Sequence, residues 1–158
     1  MTEIIRSAKN LPSETYRILV LNEQESQLQQ IIKACKRIGQ EVVPCQSLSE
    51  AFKFLKTKDH VDAFVCEAFM QNESVFEFLK AAKNDAIHKD APVMLVAAEP
   101  TEVAMFCMDG VAQAAEILGA YKFLVLPTFA VDQLTREIEA MLPREKLPMK
   151  EIDPAAAY

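Results

Sequence analysis

Glycine is scarce in this sequence, with three in 158 residues: Gly39, Gly110 and Gly119. None lies between the first strand-like run and the helix pattern after it, where a loop cradling phosphate needs glycine, so Rossmann-type and P-loop nucleotide binding are disfavoured. Tryptophan is absent and histidine occurs twice. His60 and His88 sit in separate charged segments, "KTKDH" and "AIHKD", and read as surface residues. The four cysteines, Cys35, Cys45, Cys66 and Cys107, form no CxxC pair and have no histidine cluster beside them. Neither a zinc site nor a disulfide framework is signalled, and all four read as small buried hydrophobes of a reducing compartment. Cys66 lies beside Glu67, whose charge would disfavour the thiolate.

Positive charge is also short. Lys and Arg number 17 against 23 Asp and Glu, for a net charge of -6, and no stretch concentrates the basic residues. A row of phosphates could not be neutralised, so direct nucleic-acid binding is excluded as an expectation. No apolar run reaches membrane-spanning length, and the opening residues "MTEIIRSAKNLPSETYR" hold no apolar core of signal-peptide length. No membrane association and a cytoplasmic location are expected. No Ser, His and Asp set is placed together by the pattern described next, which leaves hydrolase chemistry unsupported.

What the chain does contain is a repeated alternation of strand and helix signals. "RILVL" (17–21) is a strand-like run, followed by Leu28, Ile31, Ile32 and Cys35 at helical spacing and a stop at Gly39. "EVVPC" (41–45) repeats the strand signal with Pro44 marking an edge position, and Ser47 is placed to cap a helix carrying Leu48, Ala51, Phe52 and Leu55. "DAFVC" (62–66) precedes a helix around 74–83, "PVMLVAA" (92–98) precedes a long helix within 101–118, and "KFLVL" (122–126) precedes a last helix with Val131, Leu134, Ile138 and Met141. Near-continuous apolar strands alternating with helices predict an α/β domain, a parallel sheet covered on both faces. Five such units predict the flavodoxin-like (βα)5 doubly wound order 2-1-3-4-5. The domain is expected over 16–142, with an N-terminal extension at 1–15 and a polar, proline-punctuated tail at 143–158. In that order strands 1 and 3 are neighbours, and residues 22, 23 and 67 should meet in the crevice beyond their carboxyl ends.

The segment "VDAFVCEAFMQNESVFEFLKAAK" (61–83) and the spacing around it resemble a response-regulator receiver domain, the phosphorylatable module of two-component signalling. The resemblance covers roughly residues 16–142 and implies a site built from an acidic pair that binds Mg²⁺, an acceptor aspartate, a hydroxyl and a lysine. Carried onto this chain, the acidic pair falls on Asn22 and Glu23 and the acceptor on Glu67. The hydroxyl position falls on Ala97, the lysine on Leu126 before Pro127, and the aromatic switch position on Phe123.

These departures have chemical consequences. Glu67 is one methylene longer than aspartate, and a misplacement of about 1 Å costs on the order of 10²-fold in rate. Losing a group that binds the transferring phosphoryl oxygens typically costs roughly 10² to 10³-fold. The expectation is therefore a pseudo-receiver without catalytic residues, its pocket filled by Ala97 and Leu126, and without a bound cofactor. Asn22, Glu23 and Glu67 remain a candidate set for weak Mg²⁺ or Ca²⁺ binding, through the like-charge pair of Glu23 and Glu67. Glu67 reads either as an imitation of the phosphorylated state or as a solvated strand-end glutamate. Two rival functions stay open: a residual Mg²⁺-dependent phosphoacceptor on Glu67, and a small-ligand binder using the crevice.

The segment "EVAMFCMDGVAQAAEIL" (102–118) has few charges for an outer helix and is longer than the resemblance implies. Met105, Phe106 and Met108 are the candidate partner-binding residues. The expected partners are signalling proteins or a second copy, docked through helix 102–118, the last helix and the strand 5 face. Gly110 is a candidate break or kink in that helix.

Overall fold

In the computed structural model, which describes residues 15–71 and 73–143, five parallel strands lie in the order β2-β1-β3-β4-β5. They are β1 (Arg17–Leu21), β2 (Glu41–Cys45), β3 (Ala63–Glu67), β4 (Val93–Ala98) and β5 (Lys122–Leu126). Helices α1 (Glu25–Arg37), α2 (Leu48–Lys56), α3 (Val75–Asn84), α4 (Glu102–Ile117) and α5 (Val131–Met141) alternate with them. The expected α/β order is thus the observed one, and Pro44 sits on an edge strand. The expected extension and tail at the two termini lie almost wholly outside the described residues.

Side chains one position apart on a strand point to opposite faces, so the apolar strands feed two cores. Leu19, Leu21, Phe64, Cys66, Leu95 and Ala97 pack with residues of α2, α3 and α4 on one face. Ile18, Val20, Val65, Met94, Val96 and Leu126 pack with α1 and α5 on the other. Ser47 caps α2 as expected, its hydroxyl accepting from the Glu50 N–H at 3.1 Å.

Three expectations fail here. Helix α4 runs from Glu102 to Ile117 without interruption at Gly110. Its Thr101 cap, which accepts from the Ala104 N–H at 3.1 Å, and its alanine-rich second half outweigh one unfavourable residue. Cys107 is exposed, because it lies on the side of α4 turned away from the sheet, while Cys35, Cys45 and Cys66 are buried.

His88 is not on the surface; its exposure is 0%. Its ring meets the edges and faces of Phe54, Phe64 and His60, and Nδ1 lies 2.6 Å from Asp85 Oδ2. The Val61 N–H donates to Nε2 at 3.1 Å. A backbone N–H can only donate, so Nε2 is the unprotonated nitrogen and Nδ1–H donates to the Asp85 carboxylate. The ring thereby satisfies a buried donor just ahead of β3, which explains why a residue in a charged segment folds inward. His60 remains exposed.

Candidate functional site

Strand pairing brings the carboxyl ends of β1 and β3 together, with Leu21 opposite Cys66. Beyond those ends the chain places Glu23 and Glu67 in one crevice, as expected, whereas Asn22 is buried beside it and does not line the open space. Glu67 Oε1 accepts from the Glu23 N–H at 3.0 Å. Both Glu23 carboxylate oxygens in turn accept from the Gln71 N–H, at 3.0 and 3.1 Å. Asn22 is buried; its Oδ1 accepts from the Gln24 N–H at 2.7 Å and its Nδ2 donates to Gln27 Oε1 at 3.1 Å. Burial raises the Glu67 carboxyl above the ordinary range, the Glu23 N–H opposes that rise, and the Glu23 charge adds to it.

These bonds describe a structural clasp. The Asn22 amide orders the turn into α1, and the two carboxylates tie that turn to β3 and to the loop after it. Asn22 Oδ1, both Glu23 carboxylate oxygens and Glu67 Oε1 each accept from a backbone N–H. Among the described residues, no group of three or more His, Cys, Asp and Glu side chains is placed to share a metal ion.

The strand 5 register sets the remaining positions. Ala97 pairs with Val125 and Ala98 with Leu126, which places Leu126 at the carboxyl end, while Lys122 at the opposite end pairs with Met94. Lys122 is tied to Glu137 at 2.8 Å, away from the crevice. Leu126 is buried in the core of α1 and α5 rather than in the crevice, and Phe123 packs half-buried against the core of α2, α3 and α4. Ala97 does line the crevice, yet a single methyl leaves it open, so the expectation that Ala97 and Leu126 fill the pocket fails.

The open space is about 480 Å³, lined by Glu23, Glu67 and Glu99 with Gln24, Gln46 and Gln71 among its polar walls. No Lys or Arg contributes to it among the described residues. An incoming phosphoryl group would meet three carboxylates without a countercharge from the protein. Sequence reading missed Glu99. It adopts φ 48°, unusual for a residue with a side chain, held by its N–H on the Leu126 carbonyl at 2.8 Å and its Oε2 accepting from the Phe129 N–H at 3.3 Å. The strand-to-helix segment "AAEPT" was its one signal, a Pro-Thr helix start directly after a strand.

On α4, only Ala104 and Ala115 are buried. Phe106 is 92% exposed and Met105 is exposed as well, whereas Met108 turns inward and packs partly buried against the core. Met108 is therefore removed from the outward face that the sequence led us to expect. Val103 and Ile117, at 74% and 82% exposed, belong to that face and were missed, because an unbroken apolar stretch conceals which side points out.

The chain has the receiver fold. It superposes on the Vibrio cholerae chemotaxis response regulator CheY4 with a TM-score of 0.67 at 22% identity, covering 82% of this chain and 100% of that one. A response regulator receiver domain from Clostridium thermocellum gives a TM-score of 0.65 at 21% identity, covering 80% of this chain and 93% of that one. In sequence, the chain is 26% identical over 127 residues to the two-component response regulator-like PRR73 of Oryza sativa subsp. japonica. That similarity covers 79% of this chain but spans only 16% of the rice protein. No protein-family model matches the chain. Among the described residues, no helix is long and apolar enough to cross a membrane.

Proposed function

We propose that this receiver-fold domain is a signalling module that works through protein contacts and does not transfer a phosphoryl group. The observation that carries the reading is what stands at the carboxyl end of the sheet. Glu67 occupies the acceptor position with Oε1 engaged by the Glu23 N–H, Ala97 offers no hydroxyl, and Leu126 offers an apolar side chain inside the core. The hydroxyl and the lysine that the resemblance implies are replaced by apolar side chains, and no Lys or Arg lines the crevice among the described residues. The exposed apolar side of α4 supplies the alternative, a surface for a partner. The similarity to response regulators and to a response-regulator-like protein supports a role in signalling.

The test is an amide-resolved NMR titration with Mg²⁺ and then beryllofluoride, which imitates an acyl phosphate. Amides of Asn22, Glu23, Glu67 and β5 are expected to stay in place. A concerted, saturating shift at those positions would overturn the proposal in favour of a Mg²⁺-dependent phosphoacceptor.

A further inference from the structure

The outward side of α4 carries two parallel rows. Val103, Phe106, Gly110 and Ile117 follow one another at steps of three, four and seven, so they share one stripe along the helix. All four are exposed, and nothing lies within 4 Å of the space a Cβ at Gly110 would occupy. Beside this stripe Glu102, Asp109 and Glu116 recur every seven residues, all exposed, and the helix contains no Lys or Arg. Beyond the other edge of the stripe, Val103 and Cys107 continue into an apolar groove of about 370 Å³ walled by Phe69 and Met70 of the loop after β3.

This is the pattern of a helix that packs against another helix: a narrow apolar row interrupted by the exposed Gln113, a residue without a side chain near its middle, and charge along one flank. The charge decides the occupant. A second copy of α4 would add three more carboxylates to the seam and no cation. Antiparallel pairing about Gly110, which sets Val103 opposite Ile117, would also bring Glu102 against Glu116 and Asp109 against its own counterpart. Like charges in those positions destabilise the pair. Nucleic acid and anionic membrane surfaces carry the same sign as the flank and are repelled by it. The complementary surface is basic.

Building on the reading that the domain acts through protein contacts, we propose that α4 docks an amphipathic helix of a partner protein, with an apolar row on Val103, Phe106 and Ile117 and Lys or Arg residues facing Glu102, Asp109 and Glu116. Gly110 lets the partner's backbone approach closely. Phe106, as the largest exposed side chain of the row, is the anchor.

The experiment uses the full chain and two synthetic helical peptides of about 20 residues. They share one leucine row and differ only in carrying Lys or Glu on both flanks. Fluorescence anisotropy is expected to show saturable binding of the Lys peptide and none of the Glu peptide. Phe106→Asp should weaken Lys-peptide binding by about tenfold or more. This variant separates the seam from plain attraction between charges, because it adds negative charge, and binding driven by charge alone would tighten. Reversing Glu102, Asp109 and Glu116 to Lys should transfer the preference to the Glu peptide.

Equal binding of both peptides, no binding of either, or unchanged or tighter binding after Phe106→Asp would overturn the proposal. Self-association in sedimentation, abolished by Phe106→Asp, would overturn it in favour of a second copy. None of these outcomes moves the crevice amides in beryllofluoride, so failure here and failure of the phosphotransfer-free reading are separately visible.

Discussion

Replacing His88 with leucine tests how much one buried ring contributes to this fold. Leucine keeps an apolar side chain in the site among Phe54, Phe64 and His60 but cannot accept from Val61 or donate to Asp85. The Val61 N–H lies at a buried residue, 1% exposed, so its loss of a partner costs about 1 to 3 kcal/mol. The Asp85 side chain is 25% exposed and recovers water, which limits its share to about 1 kcal/mol. The sum is about 2 to 4 kcal/mol, a large fraction of the stability of a domain of this size. Urea unfolding followed by circular dichroism should show a lower midpoint at unchanged slope. His88→Gln separates the two bonds, since its amide oxygen reaches the Nε2 position and can still accept from Val61; it should lose about half as much. A leucine variant within about 0.5 kcal/mol of the parent, or a glutamine variant as damaging as leucine, would refute the reasoning.

Glu67→Gln keeps an oxygen for the Glu23 N–H and removes a carboxyl whose folded-state pKa is raised by burial. The folded parent binds more protons than the unfolded chain from about the ordinary value of 4.5 upward, so it loses stability as pH rises through that window. The variant should show a flatter profile there in thermal unfolding and should exceed the parent at neutral pH. A thiol reagent should label Cys107 alone in the folded protein and all four cysteines after denaturation, because burial pushes Cys35 and Cys45 up to about 12 and raises Cys66 as well. Labelling of more than one thiol at native pH would contradict that packing. Gly110→Ala should stabilise the domain by about 0.5 to 1 kcal/mol in urea, since Gly110 lies within a continuous helix with open space beside it.

The architecture and the location of the crevice were legible in the sequence for one reason. Strands buried on both faces are written as short, near-continuous apolar runs, and alternation with helices restricts them to a parallel sheet with few allowed orders. That logic puts Glu23 and Glu67 together and Leu126 at the carboxyl end of β5. It did not reach the bonds within the crevice. A Glu side chain has several staggered conformers, and only the approach of β1 to β3 decided that Glu67 would grip the Glu23 N–H while Glu23 gripped Gln71. Whether the crevice would be open or filled was equally out of reach, because Leu126 could turn to either side of the sheet.

By itself, then, the sequence determined the class of fold, its strand order and the weak polarity of α4, all of which follow from local patterns of apolar and charged residues. The tertiary structure alone decided that His88 turns inward, that α4 passes Gly110 unbroken, that Met108 faces the core while Val103, Phe106 and Ile117 face out. The physical reason is common to all three. Periodicity reports a face only where polar and apolar residues contrast, and in "AIHKD" and "EVAMFCMDGVAQAAEI" the contrast is too weak to point anywhere until a neighbouring strand, ring or N–H supplies the direction.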